Sequence, residues 1–261
     1  MRLLLTNDDG IEASGIKLLA RRLSAVHNAT VVAPESNRSG VSHSITWLTP
    51  VRIRERSMIE GVASFCTSGT PADCVVAATS MFKDDGFDLV ISGINHGQNL
   101  GVDLRYSGTI SAALEASTLD LPAVAVSIAC EDEPDFSVAI DFVMDFIVDY
   151  DWAKLPKHTI LNVNIPNLPK HSIKGVVCTR PGGLVKKRRF EKSVNEWGEE
   201  VFWMRKAIVH DSISEDFDFR NVFDGYISVS PINFFQHCDE DYKLSLEDYL
   251  SHFGKTWLEE S

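Results

Sequence analysis

A chain of 261 residues has room for one large α/β domain, or for a main domain with a smaller appendage. Its 44% hydrophobic and 24% charged residues suit a folded globular protein and exclude general disorder. A formal net charge of −12 argues against a nucleic-acid polymer as partner, since phosphate backbones call for a basic field. A small anion stays open if a metal and backbone N–H groups supply positive charge locally.

The apolar start, Leu3-Leu4-Leu5, is too short for a signal-peptide core or a membrane span. It reads as a strand that stops at the turn cluster Asn7-Asp8-Asp9-Gly10. Ile16, Leu19, Ala20 and Leu23 follow with the i, i+3, i+4, i+7 spacing of a half-buried helix. Thr30-Val31-Val32-Ala33 predicts a second strand, ended by Pro34 and followed by a long polar loop through Asn37-Arg38-Ser39-Gly40. Short strands are expected over 51–54 and 62–67, and a helix over 71–82 with Pro71 in its first turn. A buried strand over 88–92 runs into a glycine-rich loop, 93–108. A helix over 109–119, a strand over 123–128, a helix marked by Phe136, Ile140, Val143 and Ile147, and a strand over 160–165 complete the pattern.

Strands alternating with helices at this spacing predict a Rossmann-like, mostly parallel sheet with helices on both faces, over residues 1–172. The texture then changes. Residues 173–261 predict an extended hairpin or arm around 186–203, a late strand at 226–231, and a C-terminal helix striped by Leu246, Tyr249, Leu250, Phe253 and Trp257. This second part is expected to pack on the core or on another subunit. Five cysteines without a CxxC pair read as reduced thiols, which places the protein in the cytoplasm.

In open parallel sheets ligands sit beyond the carboxyl ends of the strands, where three polar, glycine-containing loops converge here: 7–10, 37–40 and 92–108. Adjacent carboxylates at Asp8 and Asp9 repel unless a cation neutralises them, although an aspartate near a helix start is also a common cap. Hard divalent cations take oxygen ligands, and Asn95 offers a neutral one. His96 beside it has either a direct role or a plain hydrogen-bonding one. Ser107, Gly108 and Thr109 open a helix, which makes an anion site and an N-cap equally natural uses. Arg38 is either a phosphate partner or a surface arginine. Glu115, His43 and Ser44 are weaker candidates, and Lys186-Lys187-Arg188-Arg189 is most simply a solvated strand face.

Together, Thr6-Asn7-Asp8-Asp9-Gly10, Asn37-Arg38-Ser39-Gly40, Gly69-Thr70-Pro71-Ala72-Asp73, Ser92-Gly93-Ile94-Asn95, Tyr106-Ser107-Gly108-Thr109, Asn162-Val163-Asn164-Ile165-Pro166 and Gly225-Tyr226-Ile227-Ser228-Val229-Ser230-Pro231 resemble the SurE family of survival-protein nucleotidases. The resemblance covers most of the chain and is weakest over 184–214. It implies one divalent cation per subunit, Mg²⁺ or Mn²⁺, on Asp8, Asp9, Ser39 and Asn95. It also implies hydrolysis of nucleoside 5′- or 3′-monophosphates, with short polyphosphate as a further substrate, in a homodimer or homotetramer. Asp8 or Asp9 would orient or deprotonate a water, and Ser107, Gly108, Thr109 and Asn7 would hold the phosphoryl group. A dinucleotide oxidoreductase is disfavoured because 7–10 lacks the GxGxxG spacing. A phosphoacceptor domain is disfavoured because the strand at 88–92 ends in Ser92-Gly93 rather than an acceptor aspartate. A non-catalytic metal- or nucleotide-binding protein of the same fold is the remaining alternative.

Overall fold

A computed structural model describes residues 1–130, 132–182, 184–210 and 214–233; within 184–188 and 206–210 only the backbone is described. The expected C-terminal helix around 246–257 lies outside these residues. Among the described residues the chain forms a nine-stranded sheet and a separate two-stranded one.

The parallel core is built from β1 (Arg2–Thr6), α1 (Ser14–Ser24), β2 (Asn28–Pro34), β3 (Ile53–Glu55), β4 (Ala63–Thr67), α2 (Pro71–Met81), β5 (Leu89–His96), α3 (Gly108–Thr118), β6 (Ala123–Ala129), α4 (Ser137–Asp149) and β7 (Thr159–Pro166). The strand order is β3-β4-β2-β1-β5-β6-β7, continued by two later strands, β11 (Ile227–Asn233) and β8 (Val176–Cys178). From β1 the chain builds outward through β2 and β4, then returns to β5 on the other side of β1 and builds the opposite way. The reversal lies between β1 and β5, so their carboxyl ends open a crevice. α/β folds of this kind are Rossmann-like, as the alternation of elements predicts.

Alternation along β1 feeds both sides of the sheet. Leu3 and Leu5 join the layer packed under α1 and α4, whereas Leu4 joins the layer under α2 and α3. All three leucines are fully buried, each contributing roughly 1.5–3 kcal/mol of transfer free energy. The helix over α1 buries Ile16, Leu19, Ala20 and Leu23, as the sequence spacing requires. α2 starts with a capping box, Thr70 and Asp73 exchanging side-chain and backbone hydrogen bonds, with Pro71 just inside. Ala78 of α2 and Ala112, Ala113 and Ala116 of α3 lie in one layer, and such small side chains let the two helices approach closely.

β5 runs four residues beyond the expected strand end, to His96, because a register shift between Ser92 and Asn95 lets pairing with β6 resume after Gly93. The extension carries Asn95 out to the sheet edge. In the last third, β11 pairs antiparallel with β7, and β8 pairs parallel with β11, so both complete the main sheet. Between them β9 (Leu184–Val194) and β10 (Glu200–His210) form the expected hairpin arm, paired among the described residues only with each other. It exposes Phe190, Trp197, Phe202, Trp203 and Met204. The short helix α5 (Asp218–Phe223) precedes β11. No helix among the described residues is long and apolar enough to cross a membrane.

Candidate active site

The turn after β1 is closed by Asn7, whose Nδ2 donates to the Gly10 carbonyl at 2.9 Å while its Oδ1 accepts the Gly10 N–H at 3.1 Å. Gly10 takes φ +99°, and a Cβ there would meet the Ser36 carbonyl carbon at 3.0 Å, so only glycine lets this turn lie against the loop after β2. That contact draws the second loop over the first. The Arg38 N–H donates to the Asp8 carbonyl at 2.6 Å, and Asn37 Nδ2 reaches Asp9 Oδ1 at 3.5 Å.

The two carboxylates then diverge. Asp8 is 4% exposed, and the Thr109 hydroxyl at the start of α3 donates to its Oδ1 at 2.5 Å. Asp9 turns toward the end of β5, where the His96 N–H donates to its Oδ2 at 3.1 Å. Burial pushes the Asp8 carboxyl up to about 6, overcoming the Thr109 hydrogen bond, and the neighbouring Asp9 charge pushes the same way. Asp9 is also raised, first by burial, with the His96 N–H working against it. Two partly desolvated carboxylates on one turn form a site that a cation would stabilise.

The third loop supplies neutral groups. Asn95 is nearly buried, and its Nδ2 donates to the Gly97 carbonyl at 2.7 Å, which turns its amide oxygen to the other side. Ser107 is the N-cap of α3, its Oγ accepting the Ile110 N–H at 3.2 Å. At Gly108 a Cβ would stand 2.6 Å from the Asp8 Cβ and 2.9 Å from the Pro71 Cγ, so the bare glycine lets the helix start rest directly on Asp8. α3 thus presents its positive N-terminal end to the carboxylate pair and to any phosphoryl group beside it.

The loop carrying Arg38 and Ser39 is strapped to the turn before α3, to the body of α3 and to the start of α2. Ser42 Oγ donates to the Arg105 carbonyl at 2.6 Å, His43 Nε2 lies 2.9 Å from Glu115 Oε2, and Thr46 Oγ1 donates to Asp73 at 2.5 Å. Arg38 Nη2 donates to the Ser68 carbonyl at 2.9 Å, while its buried Nε–H finds no acceptor among the described residues. An unmet guanidinium donor is a demand that an anionic oxygen satisfies. Ser39 is exposed on the same loop, its N–H held by Asn37 Oδ1 at 2.8 Å.

Asn7, Asp8, Asp9, Arg38, Ser39 and Ser107 therefore sit in the connections around the β1–β5 reversal, with Asn95 at the end of β5 and Gly108 and Thr109 at the start of α3. Asn7 does its visible work in the turn, and Ser107 does its own as a cap. His96 contributes its backbone to Asp9 and turns its ring to the Asp132 carbonyl at 2.9 Å. His43 and Glu115 brace the second loop, and Lys186 to Arg189 belong to β9 on the arm. Sequence reasoning missed Asn99, Asn162, Asn164 and Asp218, which hold the third loop from beneath. Asparagines spaced by two within the buried strand Asn162-Val163-Asn164 were a readable signal, since both must face one side. Asp218 offered none.

Among the described residues no three His, Cys, Asp or Glu side chains converge as metal ligands. A cation here would meet two carboxylates and neutral oxygens, a donor set suited to a hard ion such as Mg²⁺ or Mn²⁺ and unsuited to a soft one.

A family model described as Survival protein SurE matches residues 3–188. The chain belongs to the SurE family. A protein of Thermosipho africanus named 5′-nucleotidase SurE is 40% identical over 248 residues, covering 95% of this chain and 97% of its own length. One of the same name from a Thermoanaerobacter species is 41% identical over 234 residues, 90% and 92% of the two chains. The crystal structure of the SurE protein from Aquifex aeolicus has a TM-score of 0.77 at 35% identity, covering 96% of this chain and all of that one. The Thermosipho and Aquifex matches cover 95% and 96% of this chain, so the SurE likeness extends beyond residues 3–188 into the last third.

Proposed function

We propose that this SurE chain is a divalent-metal-dependent phosphomonoesterase that hydrolyses nucleoside 5′-monophosphates to nucleoside and phosphate. Nucleoside 3′-monophosphates and short polyphosphate are its secondary substrates. The observation that carries the reading is the carboxylate pair of buried Asp8 and half-buried Asp9, with Asp8 set directly against the N-terminal end of α3. Asp8, Asp9, Ser39 and Asn95 would hold one Mg²⁺ or Mn²⁺ per subunit. When bound, such an ion supplies Lewis-acid polarisation of a phosphoryl oxygen and makes water a competent nucleophile near neutral pH.

The chain's own residues supply the rest. Thr109 fixes Asp8, and the His96 N–H fixes Asp9, so neither carboxylate has to reorganise during reaction. An Asp8 or Asp9 oxygen not engaged by the cation accepts the proton of the attacking water. The start of α3 at Ser107, Gly108 and Thr109, with the unmet Arg38 Nε–H and the Asn7 turn, receives the negative oxygens of the phosphoryl group. The exposed aromatic side chains of the β9–β10 arm support a homodimer or homotetramer, since apolar patches of this kind favour a protein partner.

The test is phosphate release from a panel of nucleoside 5′- and 3′-monophosphates and short polyphosphate, with Mg²⁺, Mn²⁺ or chelator. The expected result is metal-dependent release, largest with a 5′-monophosphate and lost in Asp8→Asn. Binding of metal and nucleotide without release from any substrate would favour the non-catalytic alternative instead.

A further inference from the structure

The segment from Asn95 to Ser107 joins the proposed metal ligand to the proposed phosphoryl cradle, and its middle is clamped from beneath. The Asn99 N–H donates to Asn164 Oδ1 at 2.8 Å, and its carbonyl accepts from Asn162 Nδ2 and Asn164 Nδ2, each at 3.0 Å. Asn99 Nδ2 donates to Ser127 Oγ at 2.8 Å. Asn99, Ser127, Asn162 and Asn164 are all buried, so these bonds are made away from competing water.

Two residues further on, the clamp takes in the end of the chain that sequence reasoning treats as an appendage. The Gly101 N–H donates to Asp218 Oδ2 at 3.0 Å across 117 residues. The other oxygen of the same carboxylate accepts the Gly182 N–H at 3.1 Å and the Phe219 N–H at 2.7 Å. Asp218 has no exposed surface, and burying a carboxylate is costly unless its oxygens are bonded. The bond to Phe219 is local to the first turn of α5, whose N-cap, Phe217, makes no side-chain cap bond. The bonds to Gly101 and Gly182 do something else: Gly182 stands just before β9, the first strand of the arm, and β9 itself lies against the Gly101–Tyr106 turn.

We infer that Asp218 is a positioning residue of the active site, tying the root of the β9–β10 arm to the loop that carries Asn95 and Ser107. The inference rests on the phosphomonoesterase reading of that site. One carboxylate serves three chain segments, so displacement of the arm's root pulls on Gly101. From there it reaches Asn95 at one end of the loop and the start of α3 at the other.

The experiment compares wild type, Asp218→Asn and Thr179→Val. Asparagine keeps the shape but turns one acceptor oxygen into an NH₂ that cannot accept from Gly101 or Gly182. Thr179 is buried in the chain's last third, and its hydroxyl is bonded to Ser228 and Ser230 at 2.7 Å rather than to the loop. Thermal midpoint, Mn²⁺ affinity by titration calorimetry, and kcat and KM for a nucleoside 5′-monophosphate are measured on each. Expected for Asp218→Asn is a loss of about tenfold or more in Mn²⁺ affinity or in kcat/KM, the scale seen when supporting hydrogen bonds to ligands are removed. Thr179→Val should lower the thermal midpoint while leaving both within about twofold, in line with a purely structural role. The inference is overturned if Asp218→Asn stays within twofold on both, or if Thr179→Val loses as much. Should Asp218→Asn not fold, Asp218→Glu replaces it, shifting the carboxylate by one methylene; wild-type values in that variant also overturn the inference. A wild type that binds Mn²⁺ yet releases no phosphate removes the activity reading alone, because the affinity comparison still decides the role of Asp218.

Discussion

The Thr109 hydroxyl and the Asp8 carboxylate, 101 residues apart in sequence, meet at 2.5 Å where α3 begins against the end of β1. The bond joins a residue of the proposed cation site to one of the proposed phosphoryl cradle. Hydrogen bonds to a charged group are worth about 1.5–3 kcal/mol, roughly a factor of 10 to 100 in an equilibrium or a rate. Thr109→Val should weaken Mn²⁺ binding and lower kcat/KM within that range. Thr109→Ser, which keeps the hydroxyl, should recover most of both. Calorimetry and phosphate-release assays on the pair check this, and equal losses in the two variants would refute it.

Asp8 makes the metal-free protein sensitive to pH in an unusual direction. Its carboxyl is raised to about 6 in the fold from an ordinary 3.8, so the native state holds this proton more tightly than the unfolded chain. The resulting stabilisation is full below about pH 4 and is lost as pH rises to about 6, a change of about 3 kcal/mol. In chelator, the wild-type thermal midpoint should therefore fall over that window relative to Asp8→Asn, which has no proton to lose. Excess Mn²⁺ should reverse the trend, protecting most above about pH 6, because protons compete with the cation for the same oxygens. Scanning calorimetry across the window, with and without metal, gives both curves.

Removing the charge outright should separate stability from activity. Asp8→Asn relieves a buried carboxylate beside Asp9, so the metal-free variant at neutral pH is expected to gain about 1–3 kcal/mol over wild type. The same variant should lose metal-dependent phosphate release by at least about a hundredfold. A variant that is both less stable in chelator and inactive would show that Asp8 serves the fold more than the site.

Gly108→Ala should be a severe change for a single methyl group. The added carbon would stand 2.6 Å from the Asp8 Cβ and 2.9 Å from the Pro71 Cγ, both parts of packed elements. Overpacking of this sort costs about 1–3 kcal/mol, and relief comes only if α3 withdraws from β1. Phosphate release should fall by about two orders of magnitude while far-ultraviolet circular dichroism remains native. Near-normal turnover would mean that the start of α3 does not need to touch Asp8.

Much of this arrangement is legible in the sequence, because local pattern and one topological rule carry it. The spacing of Ile16, Leu19, Ala20 and Leu23 sets the buried face of α1, and Thr70, Pro71 and Asp73 mark the start of α2. Given a parallel sheet, the turns after β1, β2 and β5 must share an edge, which brings Asp8, Arg38 and Asn95 together. What pattern does not reach is the pairing of elements distant in the chain. Val176–Cys178 is too short to show a period, and the antiparallel place of β11 beside β7 depends on the whole sheet. Asp218 looks like any acidic residue in a polar stretch, and only the fold reveals that Gly101 lies within its reach.

Every group assigned to chemistry lies at or beyond the carboxyl ends of the strands. The connections at the other rim, around Asp85-Gly86, Asp120-Leu121-Pro122 and Pro156-Lys157-His158, have no such duty. The molecule has a working end and a handle. A fluorophore, a surface tether or a fused domain attached at the handle leaves the approach to Asp8 and Asp9 open, and a new chain break placed there would cut no segment between the three site turns and the strands that carry them.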